Sequence, residues 1–118
     1  MKNQNFLTLI FVIAALFLNG ALSGQRIYKV TNPQDAHVKV YVTTDINQAD
    51  IKVKIVDKAA DANKDGMWFQ TATQAEAMLR VYETTNATEA DVKVYYVTEE
   101  QQAGWVNASK RQFFKGDK

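Results

Sequence analysis

The sequence predicts an all-β protein: an antiparallel meander of about seven short strands, closed or nearly closed into a small barrel, behind an N-terminal signal helix. Three observations predict it. Alanines recur every thirteen residues, β-branched residues alternate with polar ones after each alanine, and an unbroken apolar segment precedes the repeats. Period-2 alternation is typical of strands with one buried face, and a short repeat indicates one structural unit used several times.

The apolar segment runs from Phe6 to Leu18 and follows a short polar start with one positive charge, Lys2. A signal-peptide core needs roughly 7–15 apolar residues, whereas a bilayer-spanning helix needs about 20. Small residues follow, so we expect cleavage after Ser23, with a cut before Gln25 as the alternative. The processed chain would then be periplasmic or secreted, without a stable membrane anchor.

The chain therefore divides into a signal peptide at residues 1–23, a β-repeat domain at 24–109 and a basic, aromatic tail at 110–118, which we expect to close the last edge of the sheet. About 95 residues remain after cleavage, which is enough for one small domain. The net charge of +1 shows no basic excess, so nucleic acid is not an expected partner. There is no cysteine, so stability must come from burial and strand pairing.

The repeat is marked by alanines spaced by thirteen residues, except for one unit that is two residues longer and so keeps the in-and-out parity of the pattern. The marker residues are Ala36, Ala49, Ala62, Ala77, Ala90 and Ala103. Four well-preserved units and three degenerate ones, at 26–30, 67–71 and 103–107, account for the seven strands. The long unit lies between Ala62 and Ala77.

Alternation after each alanine predicts the buried face of the sheet. The predicted inward residues are Val38, Val40, Val42, Ile51, Val53, Ile55, Leu79, Val81, Val92 and Val94. The polar stretches between units are too short to hold a crossover helix, so consecutive strands are predicted to be antiparallel neighbours. A β-solenoid, with parallel stacking of successive repeats, is the alternative.

The opposite face of the strands carries basic and aromatic side chains. Its predicted members are Tyr28, Lys39, Tyr41, Lys52, Lys54, Met67, Arg80, Tyr82, Lys93 and Tyr95. One interpretation is a solvated face on which lysine stems and tyrosine rings cover the strands. The other is a recognition surface, for example for a glycan that stacks on tyrosine. Both interpretations stay open at this point.

Several segments together resemble a family of small exported bacterial proteins whose domain has no known function. They are the tandem units at Ala49–Val53 and Ala90–Tyr95, the centre Asn63–Phe69 and the ending Ala103–Asn107. The resemblance covers nearly the whole processed chain. It implies a bacterial, exported, repeat-built β protein, and it implies no activity.

One short motif matches half of a calcium-binding loop. Asp61, Asn63 and Asp65 alternate and are followed by Gly66, as in the first half of an EF-hand loop. Position twelve would be Ala72 instead of a bidentate Glu. The motif therefore predicts a polar turn with Gly66 at positive φ, and a calcium-stabilised domain is the alternative. No other cofactor is expected.

Catalytic constellations are incomplete. His37 is the only histidine, and it stands where the units that begin at Ala49 and Ala90 carry Asp, so we interpret it as a surface substitution. Ser109 is the only serine after Ser23 and lies in the tail. No nucleophile, base and orienting acid are brought together by the sequence. We expect a non-enzymatic exported binding or structural module with an envelope or extracellular partner; a small hydrolase is a third alternative.

Overall fold

The fold is described by a computed structural model that covers residues 24–115. The expected signal peptide lies outside the described residues, as do residues 116–118. Within the described part, no helix is long and apolar enough to cross a membrane.

The structure has seven strands, the number that the repeat predicts. Short 3₁₀ turns alternate with them. The strands are β1 (Gln25–Lys29), β2 (Val38–Val42), β3 (Ile51–Val56), β4 (Met67–Gln70), β5 (Leu79–Glu83), β6 (Val92–Tyr96) and β7 (Gly104–Trp105). The 3₁₀ segments are η1 (Pro33–Asp35), η2 (Ile46–Gln48), η3 (Ala59–Asp61), η4 (Gln74–Glu76), η5 (Ala87–Glu89), η6 (Glu100–Gln102) and η7 (Ala108–Phe114). The all-β class is confirmed.

The prediction of an antiparallel meander is wrong. The strands lie in the order β4-β1-β5-β2-β6-β3, and a further pairing of β3 with β4 closes them into a six-stranded barrel. All six pair in parallel, and β7 joins β3 as an antiparallel seventh strand. Closure into a barrel is confirmed. The solenoid alternative also fails, because most successive repeats do not pair with each other.

The register explains how short linkers can connect parallel strands. Lys29, at the end of β1, and Val38, at the start of β2, flank the same residue of β5, Val81. The chain therefore begins β2 at the level where β1 ended and only steps sideways across one strand. The same arrangement holds at Ile27 between β4 and β5, Val40 between β5 and β6, and Val94 between β2 and β3. Short linkers are typical of hairpins, and the sequence does not show that a third strand, such as β5, lies between two consecutive strands such as β1 and β2.

Each of these linkers passes over the outside of the strand that it crosses. The Val30 N–H donates to the Val81 carbonyl at 2.9 Å, and the His37 N–H donates to the Arg80 carbonyl at 2.8 Å. The first and the last residue of the linker are therefore both bonded to β5. The intervening residues 31–35 are exposed. Equivalent bonds hold β6 under Thr43 and Asp50, β1 under Thr71 and Met78, and β2 under Thr84 and Asp91. The chain thus circles the barrel twice, and each circuit passes over strands of the other.

The marker alanines end the 3₁₀ turns. Each of the six is the C-cap residue of a turn, from η1 to η6. Each alanine N–H donates to the carbonyl three residues earlier, at 3.1–3.3 Å. The alanines that mark the repeat in the sequence therefore mark the end of each of these turns, shortly before the next strand begins.

The barrel interior is filled by the predicted inward residues, with two exceptions. Val42 is half-buried and Ile55 is 38% exposed, and each is one of the last two residues of its strand. Trp68 is fully buried, and its indole N–H has no hydrogen-bond partner among residues 24–115. The described part of the tail, residues 110–115, forms no strand and so does not pair with a sheet edge as expected. Its 3₁₀ segment places Phe114 in the core against Trp68, with ring centroids 5.6 Å apart.

Met67 departs from the predicted outer face. It is 3% exposed and packs with Val56 and Ala103 in a second apolar cluster. Met67 lies opposite Lys54 on β3, beside the segment that leads into β7. Because this segment covers the outer surface there, an outward-facing residue becomes buried.

Gly66 lies at a crowded point of the fold. Its φ of +89° confirms the predicted positive φ, and a Cβ there would lie 2.4 Å from the Gly104 nitrogen and 2.7 Å from the Lys52 carbonyl oxygen. Gly104 also has positive φ, 145°, but a Cβ there would meet nothing within 4 Å. Among the glycines within residues 24–115, only Gly66 combines positive φ with crowding by main-chain atoms.

We expect Gly66→Ala to lower the free energy of unfolding by about 3 kcal/mol or more, because backbone strain adds to a clash with main-chain atoms. Gly104→Ala is the matched control and should cost about 1–2 kcal/mol, from strain alone. Urea denaturation followed by tryptophan fluorescence measures both. Equal losses would contradict the crowding at Gly66.

Candidate functional site

The outer face of the barrel carries a continuous band of basic and aromatic side chains, which we call the belt. Its members are Arg26, Tyr28, Lys39, Tyr41, Lys52, Lys54, Phe69, Arg80, Tyr82, Lys93 and Tyr95. Most strands supply a basic residue and, two positions later, an aromatic one, so both point to the same side. Apart from exposed Arg26, the members are half-buried, as expected of side chains lying along a sheet.

Strand register places a basic residue opposite each aromatic one. The register partners are Arg26 with Phe69, Tyr28 with Arg80, Lys39 with Tyr82, Tyr41 with Lys93, and Lys52 with Tyr95. Adjacent strands lie about 4.8 Å apart, so such partners are within side-chain reach. The two-residue shift between neighbouring strands, which also shortens the linkers, produces this alternation. It is interrupted where Lys54 faces the buried Met67.

Charge is segregated between strands and linkers. The strands contain seven Lys or Arg residues and a single acid, Glu83. Glu83 forms an ion pair with Lys29 at 3.5 Å, near the ends of β1 and β5. The other described acids lie in the linkers and turns. The strand face is therefore locally positive although the whole chain is nearly neutral.

The residue after three of the six marker alanines fixes the belt backbone. Asp50 accepts the Lys93 backbone N–H at 2.8 Å, and Asp91 accepts the Lys39 backbone N–H at 2.9 Å. His37 does the same through Nδ1, which accepts the Arg80 N–H at 2.9 Å. His37 is thus a substitution for Asp, as its place in the repeat indicates, but its role is structural.

The predicted metal residues are not brought together. Asp61 and Asn63 line a depression of about 390 Å³ beside Lys54, whereas Asp65 lines a different cavity and pairs with Arg111 at 2.8 Å. Within residues 24–115, no group of three or more metal-ligating acids or histidines is assembled. Calcium binding stays a prediction.

The predicted hydrolase residues are engaged elsewhere. His37 Nδ1 accepts a backbone N–H, and Ser109 Oγ donates to Asn107 Oδ1 at 2.7 Å within the tail. Sequence reasoning placed the tyrosines and lysines on one face, and the structure agrees. It left out Arg26 and Phe69. Arg26 was detectable, because Arg26 and Tyr28 repeat the basic–aromatic spacing of the other strands.

One tyrosine outside the belt has altered acidity. Burial, and secondarily the charge of Glu83, raises the pKa of Tyr96 above its usual value of 10.0. Tyr96 lies at the end of β6, opposite Val53. Its neutral form is therefore favoured by folding.

Comparison with known protein families gives a match that covers most of the described residues. The family model of the 7(1) septoil knot domain matches residues 24–106, which is more than half of the chain. No curated protein and no solved structure matches the chain.

We expect His37→Leu to lower the free energy of unfolding by about 1 kcal/mol, since the Arg80 N–H loses its acceptor. His37→Asp supplies a carboxylate acceptor, as Asp50 and Asp91 do in their repeats. The free energy of unfolding of this variant should stay within about 0.5 kcal/mol of that of the parent chain. Urea denaturation at neutral pH compares them. Equal stability of the two variants would contradict the proposed role of Nδ1.

We expect Tyr96→Phe to make stability less sensitive to alkaline pH. A folded-state pKa above 10.0 means that the unfolded chain releases its proton first, so stability present below pH 10 is lost as pH rises through the folded pKa. Phenylalanine removes this loss. Thermal midpoints of both proteins between pH 8 and about 11 measure it; parallel curves would be evidence against a raised pKa of the Tyr96 phenol.

Proposed function

We propose that this chain, which belongs to the 7(1) septoil knot domain family, is an exported, non-enzymatic binding module whose belt holds an anionic glycan of the cell envelope or its surroundings. The alternation of basic and aromatic residues in strand register carries this proposal.

The belt offers two kinds of contact side by side. A tyrosine ring presents a flat face with negative potential, suited to the C–H-rich face of a sugar. A neighbouring Lys or Arg forms charge-assisted hydrogen bonds with carboxylate or phosphate. An acidic sugar carries both a ring face and an anionic group. Each basic–aromatic pair of the belt therefore matches one acidic sugar unit.

The repetition of the pairs favours a polymer. Five register pairs follow one another around the barrel, so a chain of repeating units can contact several pairs at once. Each contact is weak alone, and linked contacts reinforce each other by raising the effective concentration. A single small molecule would use only one pair.

The alternative polyanion is single-stranded nucleic acid, which also uses aromatic stacking and basic grooves. The net charge of +1 lacks the basic excess typical of such proteins. An export signal at residues 1–23, if used, would also separate the protein from intracellular nucleic acid. We therefore favour the glycan, and the test includes an oligonucleotide.

We expect the purified protein to bind polygalacturonate and not the uncharged polymer dextran. The variant Lys39→Gln/Lys93→Gln should bind about fivefold more weakly and depend less on salt, since it loses two charge contacts. Lys58→Gln/Lys64→Gln, which removes two linker charges, is the matched control and should stay within about twofold. Isothermal titration at two salt concentrations measures all of these.

The aromatic part of the belt is tested with Tyr41→Ala/Tyr82→Ala/Tyr95→Ala, after a thermal melt confirms folding. Weaker binding at unchanged salt dependence is expected, because the lost contacts are uncharged. Three results would overturn the proposal: no binding to polygalacturonate at low salt, tighter binding of an oligothymidylate, or equal loss in the belt and linker lysine variants.

A further inference from the structure

We infer that a cavity at the end of the barrel is a separate binding site for a single acidic sugar ring, a hexuronic acid. The cavity has a volume of about 270 Å³ and lies between the start of β1, β7 and η7. Its residues that carry the argument are Gln25, Asp65, Trp105, Arg111, Phe114 and Lys115. None of them belongs to the belt.

The apolar wall of the cavity is built as a fixed platform. Trp105 is half-buried and packs against Phe114, with ring centroids 4.9 Å apart. Phe114 is itself 8% exposed and packs against the fully buried Trp68. The platform is therefore anchored in the barrel core, and little conformational entropy is lost when a ring lies against it.

The polar rim supplies a donor and an acceptor side by side. Arg111 Nη2 donates to Asp65 Oδ2 at 2.8 Å. A guanidinium has five N–H donors, and a carboxylate has lone pairs on two oxygens. Within residues 24–115, the Arg111 side chain makes this one hydrogen bond, so further donors and acceptors are available to a ligand. A sugar hydroxyl can donate to Asp65 while accepting from Arg111.

The charge of the rim selects an anionic sugar. Arg111 and Lys115 are cationic and Asp65 is anionic, so the rim carries one net positive charge. A carboxylate on the ring would pair with these cations, while the hydroxyls satisfy Asp65. An aromatic acid without hydroxyl groups would offer no donor to the lone pairs of the Asp65 carboxylate that Arg111 does not use.

The size of the cavity limits the ligand to one ring. Pockets for larger ligands span about 300–1,000 Å³, and this one lies just below that range. Gly66 lines it with no side chain, and the added Cβ of any other residue would meet main-chain atoms of Gly104 and Lys52.

The test is titration of the full-length protein with sodium galacturonate, followed by two-dimensional ¹H–¹⁵N NMR. The indole N–H signal of Trp105 and the amide signal of Gly66 should shift in a saturable way, with a dissociation constant of the order of 1 mM. The indole signal of Trp68, buried in the core, should not move. Galactose, which lacks the carboxylate, should bind about tenfold more weakly.

Variants separate the cavity from the belt. Arg111→Gln should weaken galacturonate binding about tenfold, whereas Lys58→Gln, an equal charge change elsewhere, should leave it unchanged. Lys39→Gln/Lys93→Gln should also leave it unchanged while weakening polygalacturonate. Unchanged binding in Arg111→Gln, equal binding of galactose, or shifts at belt amides instead of Trp105 would each overturn the cavity site without deciding the function of the belt.

Discussion

The fold depends on one constraint: each crossed strand is held between two consecutive strands of the other circuit and lies beneath the linker that joins them. Val81 illustrates it, since Lys29 and Val38 flank it and the linker between them passes outside β5. Because both circuits pass over strands of the other, neither can leave the barrel alone. Threaded connections of this kind are very rare in proteins, and they agree with a family named after a knot. A closed barrel also has no free strand edges, which suits a chain that has no cysteine to form disulfides.

The constant length of the repeat follows from this constraint. Every linker that crosses one strand must cover the same distance, so its turn, its capping alanine and the next strand recur in phase. The exception is the connection from β3 to β4, which are direct neighbours. There the chain moves from the first circuit to the second, and the two additional residues belong to the loop that contains Gly66. Main-chain atoms of Gly104 and Lys52 crowd Gly66 in this loop.

Local patterns predicted much of this fold, and non-local pairing explains the rest. The alternation of Val38 and Val40 identified strands and their buried face, because side-chain period is a local property. The partner of a strand is not local. A linker of eight residues suits a hairpin as well as a step across an inserted strand, so the sequence indicated antiparallel neighbours. The burial of Met67 was missed for the same reason, since it depends on Ala103, far along the chain. The belt residues were visible in the sequence, but their alternation needed the parallel register.

Acidic residues in the linkers lower the electrostatic repulsion between the basic residues of the belt. Basic residues crowded on a strand face repel each other, and flexible ones would lose entropy when they bind a ligand. Asp50 and Asp91 accept backbone N–H groups of Lys93 and Lys39, and so they bring negative charge next to these lysines while fixing the strand beneath them. The acids lower the repulsion without removing the basic side chains from the surface. Because total charge is nearly balanced, non-specific attraction to polyanions is weak. Selectivity for one anionic ligand over another must then come from the order of the belt side chains, in which a cation lies beside every ring. This order is set by the two-residue shift in register between neighbouring strands, the same shift that allows the chain to circle the barrel twice.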